Sequence, residues 1–468
     1  MDEFLTVKRK LCVAWFVILG TLAFQGRFMS LFLRDRGFTD EEIGGILSLS
    51  PLLGAFTAPL FSYAADLCGV RPVYIVLVPM TVVAVNGYRI ASHKLDGNDL
   101  LFTYASLYSV FSMCYQPIVA IFDASTLKHL RSINASTKEY GHARLWGAVG
   151  WGIVNAVIIG PIADLTNSTW FLCDGYSISA VCMLGVLLMI VFKSNATAQS
   201  VDDGVEMKTI ETTCLDEQKD ESAMSVDGTY DDDDDDDKRE TKSTKRLTLR
   251  GYSPLNVASP ESVSRFGNIV RLFYDGEDIC WTTMAFFLLV FSLGIGTTLV
   301  ESLVFLYFSE DLHASNLVCG VSVVVTVVFE FPLFYFSDTV LARTNVHVLN
   351  VIAVVAYVVR VVVYTLVPSP WFVLLVEPLH GVTYACHKLA CVQYIADVTS
   401  RSKGLDATAQ GMVTSAKSLG SFLGSFVGGI VMERYGSAAM YRGAAALVTI
   451  AASVYGAVVY ALPPRIAL

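Results

Sequence analysis

Apolar residues gather into runs of about twenty, separated by short polar turns, over most of the chain. About twelve such runs can be traced, near residues 11–33, 43–64, 73–92, 100–124, 142–161, 170–192, 279–307, 315–337, 346–367, 370–395, 406–432 and 438–462. A helix of about 20 apolar residues crosses the hydrocarbon core of a bilayer. Backbone polar groups in lipid must find partners inside the segment, so helices are the expected form. The predicted fold class is all-α: a polytopic membrane protein of about twelve transmembrane helices in two six-helix halves.

Residues 194–276 break the apolar pattern. This stretch is rich in Asp, Glu, Lys, Ser and Thr and poor in aromatics. It cannot bury enough apolar surface to offset the entropy of ordering, so a disordered acidic linker is expected. The predicted domains are an N-terminal six-helix bundle over 1–193, the linker over 194–276 and a C-terminal bundle over 277–468. The halves echo each other. Pro59-Leu60-Phe61 leads to Asp66, and Pro332-Leu333-Phe334 leads to Asp338. Files of small residues recur at Gly147, Gly150 and Gly152 and at Gly420, Gly424, Gly428 and Gly429. Such files let helix backbones approach closely. Paired six-helix halves are an architecture of secondary transporters, with the site between the halves at mid-depth.

Composition agrees with this pattern, with 54% hydrophobic and only 16% charged residues. Much of the formal net charge of -10 comes from the segment holding the Asp231–Asp237 run. That run reads as a solvated, self-repelling spacer, with cation sensing or a cytosolic partner as the other readings. Elsewhere the charges are placed for topology. Lys8-Arg9-Lys10, Lys128/Arg131/Lys138 and the bases from Lys238 to Arg250 put both termini and the linker in the cytosol. The N-terminal apolar run lacks a cleavable signal shape and is long enough to be a first crossing. The plasma membrane is the expected location. The ten Cys include no C-x-x-C pair and lie mostly in apolar runs, where they serve as small hydrophobes; no metal site is expected. Tyr252-Ser253-Pro254-Leu255 has the form of a tyrosine sorting signal. Asn134, Asn167 and Asn195 open glycosylation sequons, of which only Asn167 would face outward.

Polar residues inside the apolar runs carry the chemistry. The run Glu139-Tyr140-Gly141-His142-Ala143-Arg144-Leu145-Trp146-Gly147-Ala148-Val149-Gly150-Trp151-Gly152 sets a cation and two indoles on one membrane helix. An Arg there costs about 2.5 kcal/mol or more unless it faces a partner or a wet cavity. Helices 7 to 11 carry Glu301, Glu330 and Glu377 against Arg360, Lys388 and Lys417, and these formal charges cancel. Glu377, His380, Tyr384 and Lys388 are spaced to line one helix face. Gln25 and Arg27 are further candidates for solute contact on helix 1. For Lys388, snorkelling at the cytosolic edge stands beside a role in the site.

The chain resembles the major facilitator superfamily, and within it the proton symporter group of lactose permease and the phenylpropionate and nucleoside permeases. Pro59-Leu60-Phe61 through Asp66, Gly69 and Arg71 is similar to the superfamily's gating loop between helices 2 and 3, although Pro72 stands where a second base is usual. Tyr140 through Trp151 resembles helix 5 of lactose permease at the same spacing. The resemblance implies that Arg144 pairs with Asp123 of helix 4 and binds solute hydroxyls, and that Trp151 offers a flat face. A plain latch between Asp123 and Arg144 is the alternative. Arg360 and His380 stand at the permease's interval, and a Glu301–Lys417 pair between helices 7 and 11 is implied. One departure bears on energetics. The permease's coupling Glu, three residues beyond the His, is Thr383 here, while Glu377 stands three residues before it.

These residues together predict a secondary transporter working by alternating access, with proton-coupled symport of a small polar solute such as a sugar or nucleoside. Glu377, tuned by Arg360 and His380, is the expected proton carrier, with Glu330 second. An uncoupled facilitator, a small aromatic-acid transporter bound through Arg144 or Arg360, and a transporter-shaped receptor or scaffold are the alternatives. The expected partners are the lipid bilayer, the solute and protons. No cofactor is expected beyond the proton gradient, no nucleic acid is bound, and a monomer suffices. An enzyme is excluded by the want of a soluble catalytic domain or a nucleotide-binding loop.

Overall fold

The computed structural model describes residues 2–132, 137–166, 168–190, 274–275, 278–399 and 406–461. The Asp231–Asp237 run, the Tyr252 motif, the three sequon asparagines and the expected linker up to residue 273 lie outside the described residues. Both helical halves belong to one compact unit, Met1–Phe192 with Asn268–Leu468.

The first crossing consists of α1 (Asp2–Ala23) and α2 (Met29–Arg34). Crossings two to four are α3 (Asp40–Cys68), α4 (Val70–Lys94) and α5 (Gly97–Ser132). The fifth is α6 (Thr137–Ile153), a π-helical turn (Val154–Ile159) and α7 (Gly160–Thr166). The sixth is α8 (Phe171–Ile190). The second half begins after a two-residue antiparallel pair, Tyr274–Asp275 with Asp278–Ile279. It holds α9 (Trp281–Glu310), α10 (Asn316–Tyr335), the short α11 (Ser337–Arg343), α12 (Val346–Tyr364), α13 (Pro370–Val376) with α14 (Pro378–Thr399), α15 (Asp406–Tyr435) and α16 (Ser437–Ala461).

Among the described residues, nine helices are long and apolar enough to cross a membrane. The other three crossings fall short for a physical reason. The first is broken between Ala23 and Met29, the tenth is interrupted at Glu377-Pro378, and α15 is rich in Gly, Ser and Thr and carries Lys417. The three crossings outside that set are thus the ones that hold Gln25 and Arg27, Glu377 and His380, and Lys417. Discontinuous helices at mid-depth are where transporters build their sites.

The small-residue files do the work their pattern implies. A Cβ at Gly150 would stand 2.4 Å from the Phe16 carbonyl oxygen, so α6 lies backbone to backbone on α1. Cβ atoms at Gly420 and Gly424 would stand 2.2 and 2.3 Å from the Phe291 and Ile295 carbonyl oxygens, which puts α15 on α9 in the same way. Crossings one with five and seven with eleven are therefore matching pairs, one in each half. The loop after the second crossing turns at Gly69, whose φ of +85° is a left-handed conformation that favours glycine. Asp66 is exposed just before this turn and Arg71 half-buried just after it.

Candidate functional site

The first crossing loses its helical register after Ala23. Gln25 N–H donates to the Leu22 carbonyl at 2.9 Å, and Gly26 N–H to the Ala23 carbonyl at 3.2 Å, both three-residue steps. The α-helix resumes at Met29. This break projects Gln25 and Arg27 among the other helices. A Cβ at Gly26 would stand 2.2 Å from Cη2 of Trp151, so the Trp151 indole is seated against the backbone between them. Trp151 is followed at once by the π-helical turn, and the Asn155 side-chain amide donates to the Trp151 carbonyl at 2.8 Å. Such turns often sit at functional sites.

Arg27 Nη2 lies 2.9 Å from His380 Nε2, joining the two halves. Arg360 reaches the other ring nitrogen, His380 Nδ1. Arg360 also holds Glu377 through Nη2, 3.1 and 3.2 Å from the two carboxylate oxygens. Its Nε donates to the Tyr364 hydroxyl at 2.7 Å, and Tyr364 donates in turn to Glu377 Oε1. The Thr326 hydroxyl donates to Glu377 Oε2 at 2.9 Å. Arg360 and Glu377 are 1% and 0% exposed. Both carboxylate oxygens thus carry hydrogen bonds, as a buried charge pair requires. The sequence spacing anticipates the Arg360–Glu377–His380 group. It misses Thr326 and Tyr364, and the one available signal is that Tyr364 lies a helical turn after Arg360.

Glu301 departs from expectation. Its Oε1 lies 3.7 Å from His380 Nε2, and Lys417 Nζ sits instead 5.3 Å from the ring centroid of Tyr384. The implied Glu301–Lys417 ion pair is not formed, because Glu301 turns toward the imidazole while Lys417 turns toward an aromatic face. Lys417 still feels the Glu301 and Glu330 carboxylates. Glu330 is half-buried, with Glu301, Arg144, Arg27 and Lys417 as its charged neighbours. Among the described residues it makes no ion pair or hydrogen bond of its own through its side chain. Gly381 accounts for the close approach here, since a Cβ would stand 2.8 Å from the Glu330 backbone nitrogen. Lys388 is exposed, with Lys417, Arg144 and Asp123 as its charged neighbours.

In the first half, Arg144 Nε lies 3.8 Å from Asp123 Oδ1, and the Tyr140 hydroxyl donates to the same oxygen. The Arg144 guanidinium sits 4.8 Å from the Trp15 ring centroid. The expected Asp123–Arg144 pair is present, with Tyr140 and Trp15 as members to which the sequence reading assigns no part in the pair. A loose pair at 3.8 Å suits a group that can change partners.

At one end the halves are tied by polar contacts. Arg34 Nε pairs with Glu310 at 2.5 Å, and Asp40 N–H donates to Glu433 at 2.8 Å. Asp164 accepts from the backbone N–H of Asn316 and of Leu317 at 2.8 and 2.9 Å, capping α10 from the other half. At the opposite end His142 stacks on Tyr335 with ring centroids 5.1 Å apart.

Comparison with known proteins fits this arrangement. A solved nucleoside transporter, NupG, superposes with a TM-score of 0.68 at 15% identity, covering 96% of this chain and 98% of that one. At that identity the likeness establishes the fold. The maltose permease of Geobacillus stearothermophilus is 28% identical over 159 residues, which is 33% of this chain and 38% of the permease. The uncharacterized transporter YwbF of Bacillus subtilis is 20% identical over 91% of this chain and 86% of its own length. The model of the MFS_1 like family matches residues 9–443, including every polar residue of the site described above. Two six-helix halves, broken first and tenth crossings and charged side chains set between them are the build of a membrane transporter, and the chain belongs to the MFS_1 like family of the major facilitator superfamily.

Proposed function

We propose that this transporter carries a small polar, uncharged solute together with a proton. The carrying observation is Glu330, a half-buried carboxyl without a bonded partner among the described residues, set among Arg27, Arg144 and Lys417. A carboxyl held by its own Arg, Tyr and Thr, as Glu377 is, serves as a strut. A carboxyl facing a cavity among several cations has a charge that matters to all of them. In this reading Glu330, not Glu377, is the proton carrier. Loading a proton there removes a negative charge from the surroundings of Arg27 and Arg144 and leaves their positive charge to the solute.

The balance of charges supports an uncharged solute. Apart from the exposed Lys388, a neighbour of Asp123, the half-buried charges are Arg27, Arg144 and Lys417 against Asp123, Glu301 and Glu330, three cations and three carboxylates. A solute with a net charge would leave one of these uncompensated in a poorly solvated space. With the termini read as cytosolic, the end tied by Arg34–Glu310 and Asp164 is the outer one, and solute reaches this state from inside.

A facilitator is the second reading, favoured by Thr383. The position of the permease's coupling acid holds a hydroxyl that donates to the Leu379 carbonyl at 2.7 Å, a bond within its own helix. Uptake of labelled maltose and uridine into proteoliposomes, with and without an inward-acid pH gradient, separates the two. Accumulation above the outside concentration that collapses with the gradient supports symport. Equilibration at the same rate with or without the gradient supports the facilitator.

A further inference from the structure

Gln25 is 4% exposed, and its Oε1 has no hydrogen-bond partner. Arg27 Nη1 is likewise buried and without a partner, although Nη2 of the same group lies 2.9 Å from His380 Nε2. Both lie in the non-helical break between α1 and α2. Buried polar atoms are nearly always satisfied, so an orphan acceptor and an orphan donor two residues apart call for an explanation. Between them, the backbone at Gly26 is pressed against the indole of Trp151.

We propose that this break is a solute subsite, in which Gln25 accepts from the solute and Arg27 donates to it. The proposal rests on the transporter reading and narrows its solute. The group bound must offer a donor and an acceptor side by side. A carboxylate supplies two acceptors and no donor; it would satisfy Arg27 and set its negative charge against Gln25 Oε1. An ammonium supplies only donors and meets the Arg27 cation. The chemistry that fits is an uncharged donor–acceptor edge, found in the cyclic amide of a nucleobase or in neighbouring hydroxyls of a sugar. Trp151 gives either one an aromatic neighbour.

The test uses the full-length protein in lipid nanodiscs with three probes: uridine, maltose and 3-phenylpropionate. Binding is read by calorimetry and thermal unfolding. One neutral probe is expected to bind and to raise the unfolding temperature, and 3-phenylpropionate is not. Uridine or maltose as that probe decides between the amide edge and the hydroxyl pair. Gln25→Ala and Gln25→Met should each weaken the bound neutral probe about tenfold, the scale of one buried hydrogen bond. Without ligand, Gln25→Met should unfold at or above the temperature of the unmodified protein, because it fills the same space and removes an orphan acceptor. A merely structural Gln25 predicts a lower one. Unchanged affinity in both variants overturns the proposal, as does binding of 3-phenylpropionate alone. Silence from both neutral probes overturns this solute class as well. The pH-gradient uptake assay judges the symport reading separately, since a facilitator can hold its solute in the same subsite.

Discussion

Arg27 Nη2 stands 2.9 Å from His380 Nε2, while Arg360 approaches Nδ1 of the same ring. A neutral imidazole has one acceptor nitrogen, so two guanidinium donors cannot both be satisfied. Glu301 Oε1, 3.7 Å from Nε2, favours the tautomer that carries its proton there. In that tautomer Arg360 keeps its acceptor, and Arg27 is the donor left to seek a solute. His380 thereby links the strut in the second half to the binding group of the first.

Coupling between Arg27 and His380 is therefore expected. Arg27→Ala and His380→Ala should each weaken solute binding, and the double variant should lose little more than the worse single one. A double-mutant cycle on binding should give a coupling of about 1 kcal/mol or more. Strict additivity would mean the 2.9 Å contact plays no part in binding.

The Arg360–Glu377 pair should behave as a structural unit. Removing one partner leaves an uncompensated buried charge, at a cost of about 3–5 kcal/mol. Glu377→Gln and Arg360→Ala should each lower the unfolding temperature in detergent sharply. Replacing both, Arg360→Met with Glu377→Gln, should recover part of the loss. If the single variants melt with the unmodified protein, the strut assignment fails.

Gly26 should not tolerate a side chain. The Cβ of Gly26→Ala would lie 2.2 Å from Trp151 Cη2, far inside van der Waals contact. The indole must move, so solute affinity should fall while the helices stay intact. Trp151→Leu should relieve the clash and restore the unfolding temperature of Gly26→Ala without restoring affinity. Binding calorimetry beside thermal unfolding checks both parts.

Asp164 should hold the tied end closed. It accepts from two backbone N–H groups of α10 and from the Asn316 side-chain amide at 3.0 Å. Each such bond contributes about 0.5–1.5 kcal/mol. Asp164→Ala should shift the equilibrium between conformations about tenfold or more toward opening at this end. Leu165 and Leu317, 82% and 39% exposed, are suitable for spin labels, in a chain whose exposed Cys68 and Cys182 are changed to Ser. A larger population at long distance is the expected result, and an unchanged distribution would show that Asp164 does not bias the equilibrium.

The halves and their crossings were legible because a bilayer imposes a length and a polarity on each helix. The spacing of Arg360 and His380 carried over to a real contact, since both lie on regular helix and only rotation had to match. Three things were not legible. The break at residues 24–28 has no proline, and it shows only as a polar Gln-Gly-Arg step. The partner of Glu301 depends on rotamers, which let the imidazole win over Lys417. Thr326 and Tyr364 are ordinary residues of apolar helices, and nothing but tertiary position marks them as donors to Glu377.

The proton assignment separates two carboxyls by their surroundings. Glu377 is 0% exposed with Arg360, Tyr364 and Thr326 on its oxygens, so a proton would have to displace a donor to bind there. Glu330 is half-buried among cations, free of any such bond among the described residues. Glu330→Gln fixes the neutral state at nearly the same shape. Uphill uptake driven by a pH gradient should fall to the level seen without a gradient. Exchange of labelled for unlabelled solute at equal concentrations should continue, because exchange needs no net protonation change and Glu330 has no bonded partner to lose among the described residues. The pH dependence of solute affinity should vanish in the variant and persist in Glu301→Gln, whose carboxylate faces His380 instead. Proteoliposomes carrying each variant, assayed for uphill uptake and for exchange, decide the matter. Uphill uptake that survives Glu330→Gln would remove Glu330 from coupling. Loss of exchange together with uptake would make it a solute ligand rather than the proton's carrier.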